Sequence, residues 1–196
     1  MELARVCVFC GSNPGTDPAF AAAADAAGAE LARRGIALVY GGGTVGLMGR
    51  VASAAMAAGG EVIGVIPDFL DRVEIAKRDI TRLEVAASMH ERKARMAELS
   101  DAFLALPGGL GTFEEVFESM TWTQLGVHDK PVGLVDVAGF WAPAVALLDG
   151  AVAAGFLTAE SRASIVTAPD VGAALDAFAH WSRPRRGKWT ETDVTL

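Results

Sequence analysis

Short apolar runs alternate with longer amphipathic segments along almost the whole chain, a pattern typical of β-α units around a parallel sheet. The apolar runs that predict strands span residues 5–10, 36–40, 61–66, 102–106, 131–135 and 164–167. The amphipathic segments that predict helices span residues 18–33, 45–58, 88–99, 112–124, 140–153 and 170–181. We therefore expect an α/β fold with a Rossmann-like, doubly wound, mainly parallel sheet and helices on both faces.

A single domain is sufficient to hold these elements. The chain has 196 residues, of which 52% are hydrophobic, and this is enough for one substantial core. We assign residues 1–182 to the domain and residues 183–196, which are polar and lack periodicity, to a C-terminal tail. Residues 80–85 are ambiguous and could form a further short strand.

Charge and cysteine content exclude several classes of function. A formal net charge of -7 argues against a nucleic-acid or anionic-membrane partner, since those surfaces require clustered basic residues. No apolar run is long enough to span a membrane or to serve as a signal peptide. Cys7 and Cys10 have C-x-x-C spacing, but they lie on a predicted strand and no second pair completes a zinc site. We expect a cytoplasmic protein with buried structural cysteines, no metal and no cofactor.

Glycine-bearing loops follow three of the predicted strands. They span residues 11–13, 41–44 and 107–112. Ligands of doubly wound folds bind at the carboxyl ends of the strands, near the point where the strand order reverses. We therefore expect the three loops to converge on one crevice, in which backbone N–H groups face an anion such as a phosphate.

The third loop opens a predicted helix that carries two glutamates, Glu114 and Glu115. Thr112 and Glu115 have the spacing of a capping box, in which each side chain satisfies a free backbone N–H group. A phosphate bound by the loop would take the same N–H groups and would leave Glu115 for chemistry. The two glutamates point about 100° apart around a helix, so only one of them should enter the crevice.

The second loop also fits another interpretation. Gly41, Gly43 and Gly46 satisfy G-x-G-x-x-G between a strand and a helix, and Asp68 follows at the distance of a ribose-binding acid. This pattern would favour a dinucleotide such as NAD. Against it, the unit is the second β-α pair, and the chain is too short for a separate dehydrogenase domain.

An arginine interrupts the apolar stripe of the helix predicted at residues 88–99. Arg92 falls on the same face as Met89 and Met96, and Ser88 begins the helix with a capping box. A buried arginine needs an acidic partner or an anionic ligand, whereas a snorkelling one would need neither. Lys93 borders this face, where it could reach a phosphate or remain solvated.

Two motifs together resemble the Lonely Guy (LOG) family of cytokinin riboside 5′-monophosphate phosphoribohydrolases. They are Met89-His90-Glu91-Arg92-Lys93 and Pro107-Gly108-Gly109-Leu110-Gly111-Thr112-Phe113-Glu114-Glu115. The similarity extends to residues 8–12, to residues 40–43 with 46–49, and to residues 121–126 with 130–133, and so spans nearly the whole chain.

The resemblance implies hydrolysis of the N-glycosidic bond of N6-substituted AMP, and also of AMP, to the free base and ribose 5-phosphate. It implies that Arg92 and Glu115 are catalytic and that the enzyme is a homodimer. The residues implied to bind the substrate or its phosphate are Ser12, Gly43, Thr44, Met89, Lys93, Gly108, Gly109, Gly111 and Thr112. Two alternatives are a general purine nucleoside monophosphate nucleosidase and a nucleotide-binding or carrier module without catalysis.

Overall fold

A computed structural model of the chain describes residues 3–71 and 75–182, so the predicted tail at 183–196 lies outside the described residues. The strands are β1 (Arg5–Phe9), β2 (Ala37–Tyr40), β3 (Val62–Pro67), β4 (Arg82–Ala86), β5 (Ala102–Ala105), β6 (Val132–Val135) and β7 (Ile165–Ala168). The α-helices are α1 (Pro18–Arg33), α2 (Gly46–Ala57), α3 (Asp68–Asp71), α4 (Met89–Leu99), α5 (Leu110–Leu125), α6 (Ala142–Ala153), α7 (Ala159–Ala163) and α8 (Val171–Ala179).

The seven strands form one sheet in the order β4-β3-β2-β1-β5-β6-β7. Every pairing between neighbouring strands is parallel, so the expected mainly parallel sheet is parallel throughout its named strands. The ambiguous segment at 80–85 contributes the edge strand β4. Helices α3 and α7 were not predicted, because segments of four and five residues are too short to have a helical period.

Helices cover both faces of the sheet, which is why the inner strands β2, β3, β5 and β6 are buried along their whole length, whereas the edge strand β4 carries Arg82 and Glu84. Along β1, Val6 and Val8 pack on the face that carries α1, α2 and α8, whereas Cys7 and Phe9 pack on the face that carries α4, α5 and α6. Cys7 and Cys10 are free and buried, which confirms the structural interpretation, and burial raises the pKa of both thiols. None of the helices in the described ranges is long and apolar enough to cross a lipid bilayer.

The strand order reverses at β1, which lies between β2 and β5. From β1 the chain first builds the sheet outward through β2, β3 and β4, and it then returns to the other side of β1 to form β5. Loops that leave neighbouring strands in opposite directions open a crevice between them at the carboxyl edge. The loops after β1 and β5 flank this crevice directly, and the loop after β2 lies next to them.

An ion-pair network links α1 to α8, which pack on the same face of the sheet. Glu30 accepts hydrogen bonds from Arg33 and Arg34, both at 2.6 Å, and Arg34 also binds Asp176 of α8 at 2.6 Å. The hydrogen bonds from Arg33 and then Arg34 lower the pKa of Glu30 to about 2.

We expect Glu30→Gln to lower the free energy of unfolding by about 1 kcal/mol at pH 7, the scale of a partly exposed ion-pair network. Because the folded-state pKa of Glu30 is depressed, its contribution is complete above the unfolded value of about 4.3 and is lost as the pH falls towards 2. Urea denaturation at pH 7 and at pH 2.5 measures the difference. Glu61→Gln, at an exposed glutamate, is the control. If Glu30→Gln lowered the free energy of unfolding by the same amount at both pH values, this account would be contradicted.

Candidate functional site

The three glycine loops meet at the carboxyl edge of the sheet, as predicted. The backbone N–H of Gly11 donates to the carbonyl of Pro107 at 3.0 Å, which joins the first loop to the third. The carbonyl of Gly11 accepts from the N–H of Leu47 at 2.9 Å, which joins the first loop to the start of α2. The crevice is therefore bordered by backbone from β1, β2 and β5.

Close packing explains the glycine spacing of the second loop. A Cβ atom at Gly41 would lie 2.2 Å from Nη2 of Arg92, and one at Gly46 would lie 2.2 Å from the carbonyl carbon of Ser12. Gly46, whose φ is +61°, meets backbone and excludes a side chain, and a side chain at Gly41 would displace the guanidinium of Arg92. The G-x-G-x-x-G spacing is thus accounted for by contacts within the protein and does not require a dinucleotide.

Helix α5 begins at Leu110 with Gly109 as its N-cap, and no side chain caps it. The predicted capping box of Thr112 and Glu115 is therefore wrong, because the helix starts two residues earlier and both side chains lie inside it. Thr112 is buried beneath the loop, whereas Gly109 and Gly111 are exposed. The first-turn N–H groups of an uncapped helix and its dipole together favour an anion at this end.

Arg92 and Glu115 form a buried ion pair between α4 and α5. Nη1 of Arg92 donates to Oε1 of Glu115 at 2.7 Å, and Nε of Arg92 donates to the carbonyl of Val65 at 2.9 Å. Only 6% of Arg92 and 9% of Glu115 is exposed to solvent, so the snorkelling alternative is wrong. The acidic partner that the apolar position of Arg92 demanded is Glu115.

The surroundings of Glu115 change the pKa of its carboxyl group. Burial raises the pKa of Glu115 above its ordinary value, and the charge and hydrogen bond of Arg92 oppose that rise. A carboxyl group with a raised pKa that lies near the uncapped start of a helix is a candidate for proton transfer or for electrostatic stabilisation. Its geometry supports both roles, because it lies one helical turn inside the uncapped end of α5.

Lys93, the residue next to Arg92, is also buried against α5. Its Nζ contacts Glu114, whose side chain is 52% exposed, and Oε2 of Glu118 at 2.9 Å. Glu114 thus turns away from Glu115, in agreement with the helical geometry. Lys93 is not solvated, and its expected contact with a phosphate stays a prediction. No sequence pattern marks Glu114 and Glu118 as partners of Lys93, because the lysine that they bind lies on another helix.

A short segment from residue 75 to residue 77 lies along the second loop. The N–H of Thr44 donates to the carbonyl of Ile75, and the N–H of Lys77 donates to the carbonyl of Gly42, each at 2.8 Å. The result is an isolated antiparallel bridge between Gly43 and Ala76. The backbone N–H of Thr44 is therefore already bonded, and its hydroxyl is the group left for a ligand. No periodicity in the sequence marks this segment.

The other predicted ligand contacts lie around the crevice. Ser12 is exposed on the first loop, and Met89 is 37% exposed at the start of α4. Leu110, which no sequence pattern had indicated, is 85% exposed at the first position of α5. Across residues 3–71 and 75–182, no group of three or more His, Cys, Asp or Glu side chains could hold a metal ion. The roles of these ligand contacts stay predictions.

Gly108 is the glycine of the third loop that tolerates least change. A Cβ atom at Gly108 would lie 2.1 Å from Oγ1 of Thr112 and 2.8 Å from the backbone nitrogen of Gly11, whereas one at Gly109 meets nothing within 4 Å. We expect Gly108→Ala to weaken binding of a nucleoside monophosphate by about tenfold or more, because the loop must move, and to lower the melting temperature. Calorimetry measures both effects, with Gly109→Ala as the matched control for stability. Equal melting temperatures for the two variants would contradict this packing.

The fold and the site together define a Rossmann-like α/β protein with a glycine-lined crevice at the switch point of its sheet and a buried Arg–Glu pair. Among solved structures, the molybdenum cofactor carrier protein of Chlamydomonas reinhardtii aligns with a TM-score of 0.67 at 22% identity, covering 91% of this chain and 98% of that chain. The molybdenum cofactor binding protein of Rippkaea orientalis aligns with a TM-score of 0.68 at 22% identity, covering 92% and 98%. These likenesses confirm the fold class.

Sequence comparison narrows the class further. A family model described as "possible lysine decarboxylase" matches residues 48–178. A probable cytokinin riboside 5′-monophosphate phosphoribohydrolase from Oryza sativa subsp. japonica is 50% identical over 91% of this chain and 80% of its own length. A cytokinin riboside 5′-monophosphate phosphoribohydrolase from Arabidopsis thaliana is 50% identical over 84% of this chain and 78% of its own length. The chain belongs to the LOG family.

Proposed function

We propose that this protein hydrolyses the N-glycosidic bond of cytokinin riboside 5′-monophosphates, and of AMP, to release the free base and ribose 5-phosphate. The observation that carries the proposal is the buried pair of Arg92 and Glu115 beside the uncapped start of α5. The relatives that share about half of its sequence are named for this reaction. A decarboxylase would need a lysine-bound pyridoxal cofactor, for which the sequence offers no motif.

Different residues of the crevice act on the phosphate, the ribose and the attacking water. The 5′-phosphate binds the third loop and the start of α5, and Ser12 and the hydroxyl of Thr44 close the site. Cleavage of the C–N bond leaves positive charge on the ribose, which the Glu115 carboxylate stabilises. Glu115 takes a proton from the attacking water as the water oxygen bonds to C1′. The electron pair of the broken bond passes to the base, which takes a proton from solvent water as it leaves. Glu115 then releases its proton to solvent, so the net reaction consumes one water molecule.

Arg92 has two duties in this scheme. Its ion pair opposes the rise in the pKa of Glu115 that burial causes, and so favours the charged carboxylate. Its Nη2, which lies against Gly41, is the guanidinium nitrogen nearest to the second loop and donates to the nucleotide. Arginine is a poor proton donor because of its high pKa, so it stabilises charge on the nucleotide and does not protonate the base.

Comparing substrates tests the proposed function and its alternatives together. The purified protein is incubated with isopentenyladenosine monophosphate, AMP, GMP and CMP, and free base and ribose 5-phosphate are followed. We expect equimolar products, fastest from the isopentenyl nucleotide and slower from AMP. Equal rates on AMP and GMP, with no gain from the isopentenyl group, would favour a general nucleosidase. Tight binding with no release from any purine nucleotide would leave a carrier module.

We also propose that the protein is a homodimer. An apolar groove of about 240 Å³ lies between α5, α6 and α7, lined in part by Phe117, Met120, Leu148 and Phe156. Phe156 is 84% exposed beside it, and exposed apolar surface of this kind favours a second copy of the chain. One chain has a mass of 20.3 kDa, so sedimentation of the dimer should give twice that mass. Phe156→Asp should shift the sedimenting species to the monomer.

We further propose a cytoplasmic location, favoured by the free thiols of Cys7 and Cys10 and tested by cell fractionation.

A further inference from the structure

Lys93 is a buried lysine whose charge is neutralised by two glutamates of the neighbouring helix. The exposed fraction of its side chain is 8%, and its Nζ contacts Glu114 and Glu118, which lie one turn apart on α5. Burying an ammonium group is costly unless acidic partners compensate it, and two carboxylates do so here. The reaction proposed above makes no use of this arrangement.

The Lys93 cluster adjoins the pair of Arg92 and Glu115 directly. Consecutive residues of α4 bind consecutive residues of α5, since Arg92 contacts Glu115 and Lys93 contacts Glu114. The two ion pairs hold the helices in one rotational setting. In that setting Glu115 faces Arg92 and Glu114 does not.

We propose that Lys93 is a positioning residue, which neutralises Glu114 and Glu118 and thereby keeps Glu115 ionised and directed at Arg92. This inference rests on the proposed function, in which Glu115 acts as a carboxylate. It differs from the role of phosphate ligand that the family resemblance implies for Lys93. The two roles predict different results for a lysine variant, a moved acid limb for the positioning residue and a raised KM for the phosphate ligand.

The charged groups around Glu115 determine the direction of the effect. Arg92 and Lys93 on α4 lower the pKa of Glu115, whereas Glu114 on α5 raises it. Cys7 and Cys10 also lie nearby on the β1 side, but burial raises the pKa of both thiols, so they are uncharged at neutral pH. Removing Lys93 deletes one positive charge and leaves the negative charge of Glu114 uncompensated. Both changes favour the protonated form of Glu115.

The first test is the pH dependence of kcat/KM for Lys93→Met. We expect its acid limb to move up by about one pH unit, the scale for loss of a neighbouring charge, which lowers kcat/KM on that limb by up to about tenfold. Lys93→Arg, which keeps the charge, should retain the parent profile. In Lys93→Met/Glu114→Gln the acid limb should move back, because the uncompensated carboxylate is gone.

A matched control separates this effect from general loosening of α4. Lys130 is also partly buried, and its Nζ donates to the carbonyl of Ala97 near the end of α4 at 2.6 Å, away from Glu115. Lys130→Met should lower stability without moving the acid limb. A Lys93→Met enzyme with raised KM, an unmoved acid limb and no rescue by Glu114→Gln would overturn the proposal and assign Lys93 to the phosphate.

A readout without turnover keeps this inference separate from the proposed function. The ¹³C signal of the Glu115 carboxyl, assigned with Glu115→Gln, is titrated in the substrate-free protein. We expect its midpoint to rise in Lys93→Met and to return in the double variant, whether or not the protein hydrolyses any nucleotide. An unchanged midpoint in Lys93→Met would overturn the proposal even if the enzyme is active.

Discussion

Replacing Glu115 by Gln is expected to lower kcat about 10³-fold while changing nucleotide affinity by less than about threefold, because the carboxylate acts mainly on the transition state. The amide side chain keeps the size of the original and an oxygen that can accept from Nη1 of Arg92, at 2.7 Å in the parent protein. It cannot stabilise a positive ribose or take a proton from water. Product release and calorimetric binding of the substrate measure the two effects separately.

The acid limb of the kcat/KM profile of the parent enzyme tests the role of Glu115 in a second way. Because burial raises the pKa of Glu115, kcat/KM should already fall above the pH at which an ordinary glutamate titrates, about 4.3. Glu98→Gln, at an exposed carboxylate of α4, is the matched control and should leave kcat unchanged. Near-normal turnover by Glu115→Gln would reduce Glu115 to a structural partner of Arg92.

Replacing Arg92 by Met is expected to abolish turnover and to lower the free energy of unfolding by about 3–5 kcal/mol at neutral pH, because a buried carboxylate is left without its partner. Both side chains of the pair are at most 10% exposed, so water cannot replace the lost contact. The deficit should shrink as the pH falls, since the variant needs only to protonate Glu115 to remove the buried charge. Urea denaturation over a pH series measures it.

Two further variants test whether the loss of stability in Arg92→Met comes from the unpaired charge of Glu115. The double variant Arg92→Met/Glu115→Gln should regain most of the stability and none of the activity. Arg95→Met, at a half-exposed arginine one turn along α4 that pairs with Glu84 and Glu98, should cost no more than about 1 kcal/mol. If Arg92→Met unfolds no more easily than Arg95→Met, the buried pair does not carry the stability assigned to it.

The fold followed from the sequence because its signals are local. Apolar runs such as the one at 102–106 are buried on both sides of the sheet, and the structure places β5 within that range. The helix at 18–33 was also predicted at its observed bounds, and in the structure Asp17 caps it and Pro18 occupies its first turn. Short segments without a period, such as α3 and α7, carry no such signal.

Part of the site could also be predicted from the sequence, but for a different reason. Arg92 was identified because an arginine within an apolar stripe violates the helical pattern, and the structure supplies its acid. The capping box at Thr112 failed because a glycine N-cap leaves no side-chain signature, so the more visible Thr-x-x-Glu spacing was taken for the helix start. The partners of Lys93 were missed because they lie 21 and more residues away, on α5.

The sequence by itself determined which segments are buried, the alternation of strands and helices, and the residue types that could bind a phosphate. Local propensity and hydrophobic period carry that information. The tertiary structure alone decided that Glu115, and not Glu114, faces Arg92, and that Lys93 lies between two carboxylates. The partner of a buried charge depends on how α4 and α5 rotate as they pack on the sheet. That rotation is set by long-range contacts that no local pattern encodes.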